Sequence, residues 1–158
     1  MDFSNLTDGD IENLILMEKH VANPGARWSE RKGSRRKNFQ LRAGRLTFTL
    51  YLRELLLYPD NFSCGLSVTK PDGNQLTLTR YNGCGHPHGE ILYECHIHRA
   101  TSRAMAEGMA PEHYATVATS YTCLNTALMQ LCNDANISGV PGVLPVVPDL
   151  FDGMQNGD

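Results

Sequence analysis

Four of the six histidines fall within thirteen residues, as His86-Pro87-His88 and His96-Ile97-His98. Imidazole titrates near neutral pH, so two rings can act together as one general base and one general acid. RNA cleavage suits that pair: a base takes the 2′-hydroxyl proton, an acid protonates the leaving 5′-oxygen, and a cation steadies the charged intermediate. The same rings suit a metal, because Cys84, Cys95, Glu90 and Glu94 lie close in sequence and would add ligands for zinc or another divalent ion. Neither a Cys₂His₂ spacing nor His-Glu-x-x-His is present. On a strand, His96 and His98 point to one side, about 6.5–7 Å apart at Cα, while Cys95 and Ile97 point to the other.

The elements that must position these groups follow from hydrophobic period. A first helix is expected from a cap at Thr7 or Asp8, with Ile11, Leu14 and Ile15 on one face, ending near Asn23-Pro24-Gly25. His20 would then sit near its C-terminus, where the helix dipole favours it. From 38 to 99 the pattern alternates, and turn residues cut it into strands over 38–42, 45–54, 62–70, 75–81 and 91–99. One face is apolar, with Phe39, Phe48, Leu50, Leu66, Leu78, Tyr93 and Cys95. The opposite face carries Arg42, Tyr51, Arg53, Thr79, Tyr81, His96 and His98, and strict alternation leaves Arg80 on the apolar side. A short helix is expected around Ser102 to Gly108. A longer one should follow Pro111, with His113 at its exposed start and a stripe of Tyr114, Val117, Tyr121, Leu124, Leu128 and Leu131. The expected fold is α+β, a five-stranded antiparallel meander with helices packed on one face and the other face open and polar.

Charge is distributed unevenly. Residues 27–45 hold Arg27, Arg31, Lys32, Arg35, Arg36, Lys37, Arg42 and Arg45, eight of the 14 Lys and Arg, against Glu30 as the one acid. Within a chain of net charge −3, this segment reads as either a solvated run or a polyanion site. The nucleic-acid-binding candidates are Arg27, Arg31, Lys32, Arg35, Arg36, Lys37, Arg42 and Arg99, with Trp28 packing against the body. The catalytic candidates are His86, His88, His96 and His98, joined by Arg53 and Tyr81 on the same face, and Arg53 or Arg99 would steady developing charge. The four histidines are also the candidate metal ligands.

The 158 residues fit one domain, assigned to 1–137, followed by a Pro/Gly-rich, loosely attached tail over 138–158. No apolar run approaches a membrane span and the N-terminus lacks a signal-peptide pattern. Five scattered cysteines without a Cys-x-x-Cys pair read as reduced thiols, which places the protein in the cytoplasm.

The strings Phe62-Ser63-Cys64-Gly65-Leu66, Leu76 to Gly83, His86-Pro87-His88 and Cys95 to Thr101, with Asn23 to Trp28, resemble a family of uncharacterised bacterial proteins of similar length. More distantly, Arg80-Tyr81-Asn82 followed by a histidine loop and the His-x-His strand is similar to the TumE-type toxins of toxin–antitoxin pairs. That resemblance implies a growth-inhibiting protein acting on RNA and neutralised by a partner antitoxin. It would carry roles to Arg80, Tyr81, Asn82, His86, His88, His96 and His98. The expected function is therefore RNA binding with histidine-based cleavage and no cofactor. The rivals are a non-catalytic protein-interaction or defence-associated module and a metal-dependent hydrolase built on the same histidines.

Overall fold

The structure, a computed structural model, describes residues 1–85, 89–91 and 93–143. Helix α1 spans Asp8–Leu16 and is followed by β1 (Lys19–Val21), β2 (Ser29–Arg31), β3 (Ser34–Ala43), β4 (Leu46–Leu55), β5 (Phe62–Thr69), β6 (Gln75–Asn82) and β7 (His96–Arg99). Then come α2 (Ser102–Ala106), β8 (Ala115–Val117), α3 (Leu124–Asp134) and β9 (Ile137–Ser138).

Among the described residues nine strands join one sheet in the order β8-β7-β6-β5-β4-β3-β1-β9, with β2 also pairing β3. The expected five-stranded antiparallel meander is therefore corrected to a mixed nine-stranded sheet, in which β1 and β9 run parallel. The extra strands are short and lie where alternation over two or three residues gives no signal. Helix is a minor part of the described residues, with three helices of 9, 5 and 11 residues. None of the helices among the described residues is long and apolar enough to cross a membrane.

The longest strands form where the sequence alternates most strongly. Phe39 and Leu41 of β3, Phe48, Leu50 and Leu52 of β4, and Cys64, Leu66 and Val68 of β5 are buried on one side of the sheet. Against them lie Ile11, Leu14 and Ile15 of α1 and Ala127, Leu128 and Leu131 of α3. Each such Leu, Ile or Phe contributes about 1.5–3 kcal/mol when fully buried.

The start of α1 is as the sequence predicts. The Thr7 side chain accepts from the Asp10 amide at 3.1 Å, and the Asp10 carboxylate accepts from the Thr7 amide at 3.0 Å. The helix stops at Leu16, well before Asn23, because Lys19 closes its end. Fully buried, Lys19 donates from its ammonium to the carbonyls of Ile15 and Met17, each at 2.6 Å, and of Ala135 at 2.9 Å. One cation thus satisfies carbonyls at the C-terminal ends of both α1 and α3, which would otherwise be orphaned. His20 consequently lies in β1 and not in a helix, with Nδ1 2.8 Å from the Ser138 hydroxyl.

The predicted long helix after Pro111 is replaced by the edge strand β8, a loop, and a later start at Leu124. The run Ala115 to Thr122 is rich in β-branched and hydroxyl residues, which lose side-chain freedom in a helix and pack readily on a sheet edge. Val117 is exposed and Tyr121 turns inward instead. The Tyr121 hydroxyl reaches the backbone carbonyls of Asn82 at 2.8 Å and His96 at 2.9 Å. Tyr93, expected in the core, is exposed with a positive φ of 59°. Of the tail expected from 138 onward, Ser138 pairs in β9 and Val140 is buried, while 144–158 lie outside the described residues.

Candidate nucleic-acid interface

A β-bulge decides which residues share the sheet's polar face. Leu66 of β5 pairs with Thr79 of β6, but the next residue, Ser67, pairs with Thr77, so Leu78 is an extra residue. One extra residue reverses the alternation beyond it. Arg80 and Asn82 are therefore turned to the polar side, and Tyr81 and Thr79 to the helix side, opposite to the strict-alternation reading. Tyr81, a catalytic candidate, is buried against Tyr121 with ring centroids 5.7 Å apart, and its hydroxyl donates to the Asp134 carboxylate. Burial, followed by that carboxylate, pushes its ionisation far upward.

Pairing registers then place Arg31 of β2, Arg36 and Arg42 of β3, Arg53 of β4 and Arg80 of β6 on the polar side. The only strand carboxylates among the described residues, Glu30 and Glu54, pair across to Arg35 on the opposite side, and Glu54 holds the Arg35 guanidinium. The basic run is thus sorted by strand geometry: Arg31, Arg36 and Arg42 go to one face, Arg35 and Lys37 to the other. Arg27 and Lys32 flank the short strand β2 and are exposed. Arg99 is on the helix side, where its guanidinium pairs with Glu12 of α1.

The polar face is concave at its centre, with a depression of about 540 Å³ lined by Asn38, Gln40, Thr49, Tyr51, Arg53, Ser63, Ser67, Gln75, Thr77 and Arg80. Gly65 makes this depression possible. A Cβ there would lie 2.3 Å from the Tyr51 ring, so the ring lies flat across the glycine. The Arg53 guanidinium sits 5.2 Å from the same ring. Burial raises the Tyr51 phenol to about 12, with Arg80 acting in the opposite direction. Gly65→Ala is expected to push Tyr51 off the sheet and destabilise the fold by about 1–3 kcal/mol. Chemical denaturation of Gly65→Ala, Tyr51→Ala and the double variant checks this: the glycine substitution should cost much less once Tyr51 is absent.

The histidine pair occupies the same side, but beneath the surface. His96 and His98 have 0% and 2% exposure, so the expectation of imidazoles on an open face is corrected. His98 stands beside Arg80 and His96 beside Asn82 across the β6–β7 ladder, and the two rings meet edge-on at 5.1 Å. His96 Nδ1 donates to the Glu94 carbonyl at 3.0 Å, and Asn82 approaches its Nε2 at 3.3 Å. His98 Nδ1 donates to the Glu112 carbonyl at 2.8 Å. Glu112 also pairs with Arg80 at 3.2 Å, so the loop carrying it covers the β6–β7 end of the face. Asn82 Oδ1 and Arg80 Nε are buried and make no hydrogen bond among the described residues. Sequence reasoning had no means to find Glu112, whose role depends on a loop closing over residues some thirty positions earlier.

His86 and His88 lie outside the described residues. Among the described residues no group of three or more His, Cys, Asp or Glu is placed to hold a metal ion. The cysteines are all free thiols. Cys123, exposed at the N-cap of α3, has its thiol pKa lowered by the Thr126 side chain, whereas burial raises that of Cys132 to about 12 and that of Cys64 further. In the folded protein at pH 7.5, iodoacetamide is expected to alkylate Cys123 first and to leave Cys64 and Cys132 unmodified until denaturation, which peptide mass spectrometry reads directly.

No family model matches the chain, and no curated protein or solved structure matches it either.

Proposed function

We propose that the protein binds single-stranded RNA across the polar face of its sheet. The observation that carries this reading is the set of exposed arginines Arg31, Arg36, Arg42 and Arg53 on a face to which the strands contribute no carboxylate among the described residues, with Arg80 beside them held by Glu112. Guanidinium groups grip phosphates in a forked, two-point geometry. The amides and hydroxyls of Asn38, Gln40, Gln75 and Thr77 between them suit base edges and the 2′-hydroxyl. Binding of this kind uses no cofactor.

Histidine acid–base cleavage needs an imidazole that reaches the phosphate; His96 and His98 lie beneath the face and His86 and His88 lie outside the described residues, so binding is the part of the reading that the described residues support. The resemblance to TumE-type toxins adds a partner antitoxin, and five free thiols fit a reducing, cytoplasmic setting.

Fluorescence anisotropy with a labelled single-stranded RNA tests the proposal, read across a salt series with the RNA analysed on a gel afterwards. Binding that weakens steeply with salt, with the RNA intact, is expected. Absence of binding at low salt would sink the reading. Cleavage lost in His98→Ala would return catalysis to it.

A further inference from the structure

We propose that a second cavity, on the helix side of the sheet, binds a small amphipathic monocarboxylate, an apolar or aromatic body ending in one acid group. The cavity has a volume of about 370 Å³ and lies between Trp28, the β3–β4 ladder and the N-terminal half of α3. That is in the range of small-molecule sites. It is on the opposite side of the sheet from the arginine face, so it does not rest on the RNA reading.

Its floor is apolar: Phe39 and Leu52 from the sheet, Leu128 from α3 and Val140 are all buried. Two cations stand at its wall in different circumstances. The Arg35 guanidinium lies 4.1 Å from the centre of the Trp28 ring and is already paired with Glu54. The Lys37 ammonium lies 5.0 Å from the Trp28 ring and 5.6 Å from the Phe39 ring, and forms no ion pair among the described residues. A half-buried ammonium set against ring faces retains the capacity to bind an anion. Charge count selects the ligand class: one cation without an ion pair among the described residues, beside the Glu54 carboxylate, accepts one negative charge and disfavours a dianion. The apolar floor requires that the rest of the ligand be hydrophobic.

Two reporters are built in. Trp28 is the single tryptophan of the chain, and Cys123, an exposed thiol, lines the cavity. The test titrates the full chain with 4-phenylbutyrate and, separately, with the uncharged 4-phenylbutanol, following Trp28 emission. A ligand of this size at ordinary efficiency binds with a Kd of about 1 mM. Saturable binding of the acid is expected, about tenfold tighter than the alcohol, and saturating acid should slow iodoacetamide alkylation of Cys123. Lys37→Met should abolish the preference for the acid while leaving alcohol binding unchanged. Lys37→Gln replaces it if the methionine variant loses its near-ultraviolet circular dichroism. Equal binding of acid and alcohol by the wild type, no saturation by about 20 mM, or a preference for the acid that survives both substitutions would each overturn the proposal.

Discussion

Replacing Arg36, Arg42 and Arg53 together by alanine is expected to weaken RNA binding about 100-fold at 0.1 M salt. The magnitude follows from counterion release: on a single strand each neutralised phosphate contributes about 0.7 to the slope of log K against log salt. Three lost contacts flatten that slope by about 2, which at 0.1 M corresponds to about two decades of affinity. These three are the right choice because they are exposed and share one face. Arg80, in contrast, is tied to Glu112, so its removal would disturb the loop over the histidines. A matched control removes the same charge from Arg99, Arg103 and Lys70, each already paired with a carboxylate away from the face. If the control weakens binding as much as the test variant, net charge and not the sheet face is responsible.

The second large effect concerns stability. Lys19→Met keeps the side chain's length but leaves the Ile15, Met17 and Ala135 carbonyls without their donor. A cost of about 2–4 kcal/mol at pH 7 is expected, since buried acceptors that lose a charged partner are expensive. The pH dependence identifies the cause. Burial lowers the Lys19 ammonium from its usual 10.5 to about 8 in the folded protein. Below pH 8 both states hold the proton; between pH 8 and 10.5 the unfolded chain holds it and the folded one does not. Stability from this group therefore rises with pH across that window. The gap between wild type and Lys19→Met should widen by about 2 kcal/mol from pH 7 to 9.5. Tyrosine and cysteine ionisations cancel in that difference. Urea denaturation at the two pH values measures it, and a gap that narrows would exclude Lys19 as the source.

Strands β4 to β6 were legible because their residues alternate over eight or more positions, enough for period two to stand out, whereas β3 was read only from 38 because its first four residues, Ser34 to Lys37, include no apolar side chain. The N-terminus of α1 was legible because its capping residues act within four positions of one another. The site was legible only in part. Arg42 and Arg53 could be placed because alternation holds through 38–42 and β4, and Arg36 was named from the basic run alone, whereas the bulge at Leu78 exchanged Arg80 with Tyr81 and no local residue type announces it. The histidines were read as exposed because parity gives the side of a sheet, not what lies over it. The cover comes from Glu112, and its position depends on the chain reversing after α2. Lys19 was overlooked for a similar reason: its partners Ile15 and Ala135 lie at the ends of two helices far apart in the chain.

That last arrangement bears on how the protein is made. The Lys19 ammonium and the Ala135 carbonyl are 116 residues apart, and β9 completes the sheet beside β1. At synthesis rates of 5–20 residues per second, roughly 6–23 s separate the appearance of the two partners. Throughout that interval β1 exposes one hydrogen-bonding edge, and the end of α1 lacks the carbonyl that completes the coordination of Lys19. The last step of folding therefore waits for the ribosome to finish α3, and the nascent chain up to that point presents an open strand edge to whatever chaperone attends the exit tunnel.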